Sequence, residues 1–588
     1  MGRIFRVNME TLQVSAEEDP GEYKKLGGRA LTSTILAKEV YPSCHTLGKR
    51  NKLILAPGLL GGTSVPSSGR LSVAAKSPLT GAVREANAGG TAGSKLGRLG
   101  VKAIIIEGKP KEEESYLLKL DKEGLKILPA NELKGLRNYE LAQRLREIHG
   151  DGVSIISIGP AGEAKMAAAS VAVTDREGRP SHHAGRGGLG AVMGSKGVKA
   201  VVVDDTGARR MKPKDMETFS KVNSRLTEIL VKESPLIQML HRFGSSLGVE
   251  IANQQGTLPT RNRRSGSFEK ATGIGPERIE ELIKERGGKP GGHACMPGCV
   301  SACAVAFTGK DGNTLTASLE FETLAILGAN LEIGDVDAVA TMDYLCDDFG
   351  LDTIEIGNAL AVAAEAGLMD FGDASRAVEL VREVGEATIL GRILGQGSVV
   401  TGKVFGVTRV PAVKGLGFAA WEPRVIKGAG VTYASSPQGA DHTCGFDLED
   451  PQGIEGQGKK SRDAQASIIA ICDSPGFCFF PWHFAGTPIH EYIFQLIGAQ
   501  YGFEFSMKEA MNIAKEVLKI EKSFNEGAGF SKGADCLPEF ILDEPFPPHN
   551  TVFDVPADEI DKVFDFGPET EIIPMGPLTP PGPPGKEG

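Results

Sequence analysis

Up to about residue 205 the apolar positions come in short β-branched runs: Lys52-Leu-Ile-Leu-Ala56, Ala103-Ile-Ile-Ile-Glu107, Ser154-Ile-Ile-Ser-Ile158 and Ala200-Val-Val-Val-Asp204. Each is bounded by glycine-rich turns, so this part of the chain predicts strands and a β-rich domain. From Lys212 the spacing changes. Apolar residues recur at three- and four-residue steps over Asp215–Glu233, Pro276–Glu285, Asp335–Cys346 and Thr353–Gly367, and helices are also predicted at about 487–500 and 507–524. Between them, Ala317-Ser-Leu-Glu-Phe-Glu-Thr-Leu-Ala325 reads as a strand or a helix entry that carries two acids, Glu320 and Glu322, among apolar neighbours.

This pattern predicts an α+β protein, with a β-rich base over 1–207, a helical domain over 208–405 and a second helical domain over 406–588. A chain of 588 residues exceeds one core and calls for about two to four packed units. The tail from Pro574 to Gly588 is rich in proline and glycine, which predicts disorder.

Charge and cysteine usage narrow the functional classes. A net charge of −10 with no Lys/Arg run argues against a general nucleic-acid binder, because phosphate binding needs a basic surface. No apolar run reaches the roughly eighteen residues needed to span a bilayer, and Met1-Gly-Arg-Ile-Phe5 has no apolar signal core, so the expected location is the cytoplasm. Nine cysteines, an odd number, suit a reduced compartment better than a disulfide framework.

Cysteine chemistry is concentrated in His293-Ala-Cys-Met-Pro-Gly-Cys-Val-Ser-Ala-Cys303. Cys295, Cys299 and Cys303 are spaced i, i+4, i+8, and Pro297-Gly298 forces a turn between the first two, so the thiolates converge instead of lining a helix stripe. The spacing suits most of an iron–sulfur site, with a fourth thiolate from elsewhere. Structural zinc or a group of buried free cysteines stays open as the alternative. The radical-SAM spacing is not met.

Two further sets of loops point to a large ligand. Ser67-Ser-Gly-Arg70, Asn87-Ala-Gly-Gly-Thr-Ala-Gly93 and His182-His-Ala-Gly-Arg-Gly-Gly-Leu-Gly-Ala-Val-Met-Gly194 are glycine-rich and carry arginines, which lets backbone N–H groups and guanidinium forks approach phosphate. None is a Walker A loop, and none fits the dinucleotide fingerprint convincingly. Asp347-Asp-Phe-Gly-Leu-Asp352 and Asp473-Ser-Pro-Gly-Phe-Cys478 share the form Asp-x-x-Gly-apolar-(Asp or Cys). One such hexapeptide alone is a helix C-terminal turn with a left-handed glycine. Two suggest a pseudo-symmetric pair gripping similar halves of one ligand, and they put Cys478 beside it as the choice for the fourth cluster thiolate.

Together with Ala184-Gly-Arg-Gly-Gly-Leu-Gly-Ala-Val-Met-Gly-Ser-Lys196 and Arg424-x-x-Lys-Gly-x-Gly430, these motifs run in one order along nearly the whole chain. In that order the chain resembles the tungsten-dependent aldehyde:ferredoxin oxidoreductases. The resemblance implies a base domain that carries a bis-pterin of tungsten or molybdenum, two helical domains over it, and a [4Fe–4S] cluster close to one pterin. Carried over residue by residue, Arg70 bridges the pterin phosphates, while backbone at Asn87, Gly89 and Ala184 holds the phosphates or their bridging Mg2+, with Arg186 in the same loop. Asp347, Leu351 and Asp352 hold one pterin, and Asp473 and Gly476 the other. Glu322 stands where the family has a carboxylate near the metal, and His442 matches the other residue lining that site.

Two positions depart from the family pattern. His183 stands where an arginine is frequent, making one phosphate contact weaker or pH-dependent, and three residues separate the first two cluster cysteines instead of two. A Glu-x-x-His for a subunit-bridging iron is not apparent around Thr341 to Tyr344, so that metal is not expected.

The activity implied is anaerobic oxidation of an aldehyde to a carboxylic acid, with Glu322 as general base and His442 donating to the carbonyl oxygen. Electrons then pass through the cluster to ferredoxin or to iron–sulfur and flavin partner subunits, since no nicotinamide site is recognisable. A homo-oligomer is compatible with the sequence, which leaves its symmetry open. Two other readings stand beside this one. A reductase subunit of the same superfamily, acting on a thioester or an aromatic ring, would keep the cofactor motifs and lose or reuse the acid–base pair; a non-catalytic iron–sulfur carrier would need neither the aspartate loops nor the phosphate-type loops. Phe321, Trp421, Phe477, Phe479 and Trp482 are candidates for the substrate pocket wall.

Overall fold

The computed structural model describes residues 2–208, 211–445, 448, 450–567, 574 and 576; the rest of the proline-rich tail lies outside the described residues. Twelve strands in two six-stranded sheets fill the first 203 positions. The first sheet runs in the order β2 (Gln13–Glu18), β1 (Arg3–Asn8), β6 (Val101–Glu107), β3 (Leu53–Pro57), β4 (Leu71–Lys76), β5 (Val83–Ala88). The second runs β11 (His182–Ala184), β10 (Val171–Val173), β9 (Ser154–Ser157), β12 (Val198–Val203), β7 (Tyr116–Asp121), β8 (Gly124–Pro129). Both are antiparallel apart from the β1–β6 and β7–β12 pairs.

The β-branched runs are buried on both faces, which is why they read as unbroken apolar stretches. Val7, Leu55, Val73, Ile104 and Ile106 of the first sheet share one core with Leu118, Ile156, Val171, Val201 and Val203 of the second. The outer faces are closed by helices. Leu31, Ile35 and Leu36 of the helix Gly28–Glu39 cover Ile54 and Ile105, and Leu141 and Leu145 of the helix Asn138–His149 cover Ile155 and Val202. Two stretches taken from the sequence as loop starts are strand ends, because Asn87–Ala88 finish β5 and His182–Ala184 form β11.

The remainder is mainly helical, with three short two-stranded pairs among the described residues, so the protein is α+β with its strands concentrated at the N-terminal side. The predicted helix from Asp215 starts at Met216, where the Asp215 carboxylate caps it by accepting from Thr218 N, and it widens into a π-helical turn over Ile229–Glu233. Pro276–Glu285 forms as predicted, with proline at its first turn. The stretch after Ala317 resolves into a short helix, Phe321–Thr323, followed by a π-helical turn over Leu324–Gly328. The largest core joins Ile326, Val339, Leu360 and Val384 to Val413, Val431, Ile541 and Phe553, and it crosses residue 405.

Arg424-x-x-Lys-Gly-x-Gly430 has a packing role. Arg424 and Arg263 both pair with Glu422 at full burial, Lys427 donates to Val552 O and Asp554, and a Cβ at Gly430 would lie 2.3 Å from the Phe553 ring. Breaking such a buried pair by removing one partner costs about 3–5 kcal/mol.

Candidate active site and cysteine loop

Both aspartate hexapeptides end a helical segment on a left-handed glycine, Gly350 at φ 74° and Gly476 at φ 73°. Both then make a single antiparallel β-bridge to the β-rich base, and they do so through the same position of the hexapeptide. Leu351 pairs with Ala169, and Phe477 pairs with Ser68. Asp352 N donates to Ala168 O at 3.0 Å, and Cys478 N donates to Ser67 O at 2.9 Å. The two loops are thus equivalent in how they dock, a relationship visible in the sequence only as a shared spacing.

Ser67 explains how Cys478 reaches the three-cysteine loop. It holds φ 53°; its N–H donates to Gly298 O at 2.9 Å, its hydroxyl accepts from Val300 N at 3.0 Å, and its carbonyl accepts from Cys478 N. One residue therefore pins the loop that carries Cys295, Cys299 and Cys303 and the strand that carries Cys478.

The four sulfurs face one another electrostatically. The Cys295 thiol donates to Cys299, which brings Cys299 down to about 6 and pushes Cys295 up. Burial raises Cys303 and Cys478, with the Arg70 guanidinium opposing both shifts. Arg70 Nη1 stands 3.9 Å from Cys478 Sγ, its Nη2 donates to Asn87 O at 2.9 Å, and its Nε donates to Asn87 Oδ1. A Cβ at Gly89 would lie 3.1 Å from Cys295 Sγ, so the glycine keeps the β5 turn close to the thiol.

The other predicted contacts divide between the two aspartate loops. His183 Nε2 lies 3.1 Å from Asp347 Oδ1, its Nδ1 meets Ser170 Oγ at 2.7 Å, and Asp347 Oδ2 accepts from Ser318 Oγ at 2.7 Å. Asp352 caps the helix Thr353–Glu365 through Oδ1, while its Oδ2 lies 3.7 Å from Arg186 Nε. Arg186 also donates to Ala440 O at 2.8 Å and to Gly417 O, tying the Ala184 loop to the third section of the chain. Burial pushes Asp473 up to about 6 against the pull of Arg29, and burial with neighbouring Asp473 pushes Glu85 up to about 8. Arg29 Nη1 donates to Asp473 Oδ2 at 3.4 Å, and Arg29 is itself held by Glu521 at 2.8–2.9 Å.

Glu322 and His442 meet. Their Oε1 and Nε2 atoms are 3.5 Å apart, Glu322 Oε2 accepts from Ala420 N at 2.7 Å, and Asp441 Oδ1 lies 3.4 Å from His442 Nδ1. Burial opposes the imidazolium, yet Glu322 and Asp441 raise His442 above its ordinary value. Burial alone would raise Asp441, but Arg84, His442 and Arg186 hold it well below the usual carboxylate range. Phe321, next to Glu322 in the chain, and Trp421, next to Ala420, meet edge to face with ring centroids 6.0 Å apart. Phe477 and Trp482, by contrast, are core residues at 1% exposure, packed with Ile471 and Phe494.

Several site residues escaped the sequence reading. Glu320, noted only as an acid among apolar neighbours, is pushed up to about 7 by burial, with Arg70 opposing and Asp347 and Glu322 adding to the rise; its charge in turn raises Cys303. Arg84, which donates to Asp441, and the Arg29–Glu521 pair had no motif to announce them.

Comparison with known proteins gives the class, an oxidoreductase. Residues 4–205 match the family model described as aldehyde ferredoxin oxidoreductase, N-terminal domain, and residues 221–565 match that for its domains 2 and 3. The chain belongs to the aldehyde ferredoxin oxidoreductase family. It is 31% identical over 577 residues to the tungsten-containing aldehyde ferredoxin oxidoreductase of Thermococcus kodakarensis, covering 93% of this chain and 92% of the relative. It is 27% identical over 565 residues to the WOR-like subunit of an aliphatic sulfonate oxidoreductase of Pyrococcus furiosus, covering 89% and 85%. A solved structure, the active-site complex BamBC of benzoyl coenzyme A reductase with 1,5-dienoyl-CoA, shares the fold at a TM-score of 0.80 and 19% identity, covering 96% of this chain and 93% of that one. Among the described residues no helix is long and apolar enough to cross a membrane.

Proposed function

We propose that the protein oxidises an aldehyde to a carboxylic acid at a tungsten bis-pterin and passes the electrons through a [4Fe–4S] cluster to ferredoxin or to iron–sulfur or flavin partner subunits. The observation that carries this reading is the Glu322–His442 pair, set 3.5 Å apart, with Glu322 held by Ala420 N and His442 by Asp441.

The residues fit such a cofactor. Among the described residues buried Ser474 Oγ has no hydrogen-bond partner, and Arg186 Nε with Asp352 Oδ2 at 3.7 Å and Glu322 Oε1 with His442 Nε2 at 3.5 Å face one another beyond hydrogen-bond length; all lie in or beside the loops the cofactor would occupy. A buried polar atom left unpaired costs about 1–3 kcal/mol, so a polar ligand that meets these atoms is favoured over a closed apolar core. Arg70, Asn87, Gly89, Ala184 and Arg186 would hold the phosphates and a Mg2+ between them; Asp347, Leu351 and Asp352 would hold one pterin, and Asp473 and Gly476 the other. Glu85, pushed up to about 8 by burial and by Asp473, lies beside the second loop. Cys295, Cys299, Cys303 and Cys478 would ligate the cluster, and Arg70 stands between it and the phosphate loop.

When bound, the metal centre supplies the two-electron sink for the reaction: aldehyde and water give carboxylic acid, two protons and two electrons. The chain handles the protons and the carbonyl. Glu322, held by Ala420 N through Oε2, presents Oε1, 3.5 Å from His442 Nε2, to accept the proton of the attacking water. His442 donates from Nε2 to the carbonyl oxygen as charge builds there, and Asp441 at Nδ1 fixes the ring and favours its cationic form. Phe321 and Trp421, neighbours in the chain of Glu322 and Ala420, would offer apolar surface to the hydrocarbon part of an aldehyde.

An anaerobic viologen-reduction screen over aliphatic aldehydes, aromatic aldehydes and acyl-CoA esters tests this. Turnover of an aldehyde by metal-replete enzyme supports it. Reduction of a thioester or ring by a low-potential donor, without aldehyde turnover, replaces it with the reductase reading.

A further inference from the structure

The three cluster cysteines occupy a hairpin whose neck is a short antiparallel pair: Gly292 opposite Val305, and His293 opposite Ala304. The neck rests on a second hairpin, that of β10 and β11 in the base, where Val173 pairs with His182 and the connecting turn begins at Asp175. At this contact Asp175, His182 and His293 bring one donor atom each within 4.8 Å of one another.

We propose that Asp175, His182 and His293 bind a divalent transition-metal ion, zinc or iron(II), which clamps the neck of the cysteine hairpin to the β-rich base. Two imidazoles and one carboxylate are a donor set that both ions accept.

The surroundings are those of a prepared ligand set. Asp175 is 2% exposed, and its Oδ1 is already committed, accepting from Glu177 N at 2.8 Å and Arg179 N at 2.9 Å. Its Oδ2 is therefore aimed at His293 Nε2, 2.9 Å away, and orientation of this kind is what a ligating carboxylate needs. His182, 8% exposed, leaves its Nε2 buried without a hydrogen-bond partner. The two imidazole rings are parallel to within 7°, with centroids 6.5 Å apart. Glu177 Oε2, 3.3 Å from His293 Nε2, offers a fourth ligand from the more exposed side and marks the entry path.

A plain Asp175–His293 ion pair accounts for two of these groups but leaves the His182 nitrogen desolvated and unpaired, a state that costs about 1–3 kcal/mol. An ion satisfies all three, and His293 gives up its Nε2 proton to solvent as it binds.

The test uses holoenzyme with its iron retained, stripped anaerobically of loosely held divalent metal and then titrated with zinc. We expect one zinc per chain in addition to the cluster iron, with an X-ray absorption edge showing nitrogen and oxygen neighbours only. His182→Ala should weaken zinc by at least about the ten- to hundredfold seen when supporting contacts to a metal are lost, with iron content unchanged at the outset. Asp175→Asn gives the same reading if the alanine variant fails to fold. No added zinc, zinc with sulfur neighbours, or equal zinc affinity in the variants overturns the proposal.

Discussion

His442 Nε2 lies 3.5 Å from Glu322 Oε1, although the two residues come from opposite sides of residue 405 and nothing in their local sequence pairs them. The contact is longer than a hydrogen bond and shorter than the separation of two solvated charges, so both groups address one small volume. Glu322→Gln keeps the shape and loses the base; His442→Asn keeps a donor and loses the charge. Each should lower aldehyde turnover by roughly two or more orders of magnitude with metal content unchanged. Near-normal turnover in both would remove their roles.

The raised value of His442 fixes the sign of a pH effect. A histidine raised in the folded state contributes stability that is fully present below its unfolded value of 6.5 and is lost as pH climbs through the raised native value. Activity that needs the imidazolium should decline on the same alkaline side. Thermal midpoints and kcat/KM measured across neutral to alkaline pH should both show this limb in the wild type. Persistence of the limb in His442→Asn would assign it to another group.

Cluster assembly should depend on Cys478 and, less severely, on Ser67. Cys478→Ala removes a proposed ligand, and anaerobic iron analysis should find the four-iron signal lost or converted to a three-iron species. Ser67→Ala removes only the hydroxyl that accepts from Val300 N, so we expect a loss of about 1–3 kcal/mol in stability and faster iron release, with the cluster still formed. Stoichiometric zinc with no iron in the wild type would instead mark Cys295, Cys299, Cys303 and Cys478 as a structural zinc site.

Gly28→Ala should be among the most damaging single-methyl changes in the protein. Gly28 holds φ 45°, and a Cβ there would lie 1.8 Å from Asp473 O. The Asp473 loop would have to withdraw, taking Cys478 with it. Loss of pterin and iron together, measured by elemental analysis on whatever folded protein is recovered, is the expected outcome; full occupancy of both would show that the loop tolerates the shift.

Much of this was legible before any coordinates. The runs of valine and isoleucine announced the buried strands, and Pro276 at a helix start and Asp215 at a cap position marked boundaries that hold to within a residue. The shared Asp-x-x-Gly spacing announced two similar helix-ending loops, because a left-handed glycine after a helix is a local demand that sequence records; their common docking on the base came from the structure. What sequence could not supply was partnership. His183 carried an expected phosphate contact, and nothing in the sequence signals that its Nε2 also lies 3.1 Å from Asp347 Oδ1, a contact created by the docking of helix against sheet. Arg84 matters because of what surrounds it, with no motif in its neighbours; Glu320 and Ser67 lie in stretches the sequence singled out, but their partners Arg70, Val300 and Cys478 are far along the chain.

The two bridges from the base, Ala169 to Leu351 and Ser68 to Phe477, also bear on the order in which the site is built. A chain emerging from the ribosome can form the first as soon as residue 351 is available, whereas the second must wait for residue 477. The second bridge is thus the later closure in chain order, and it is the one that brings Cys478 N onto Ser67 O.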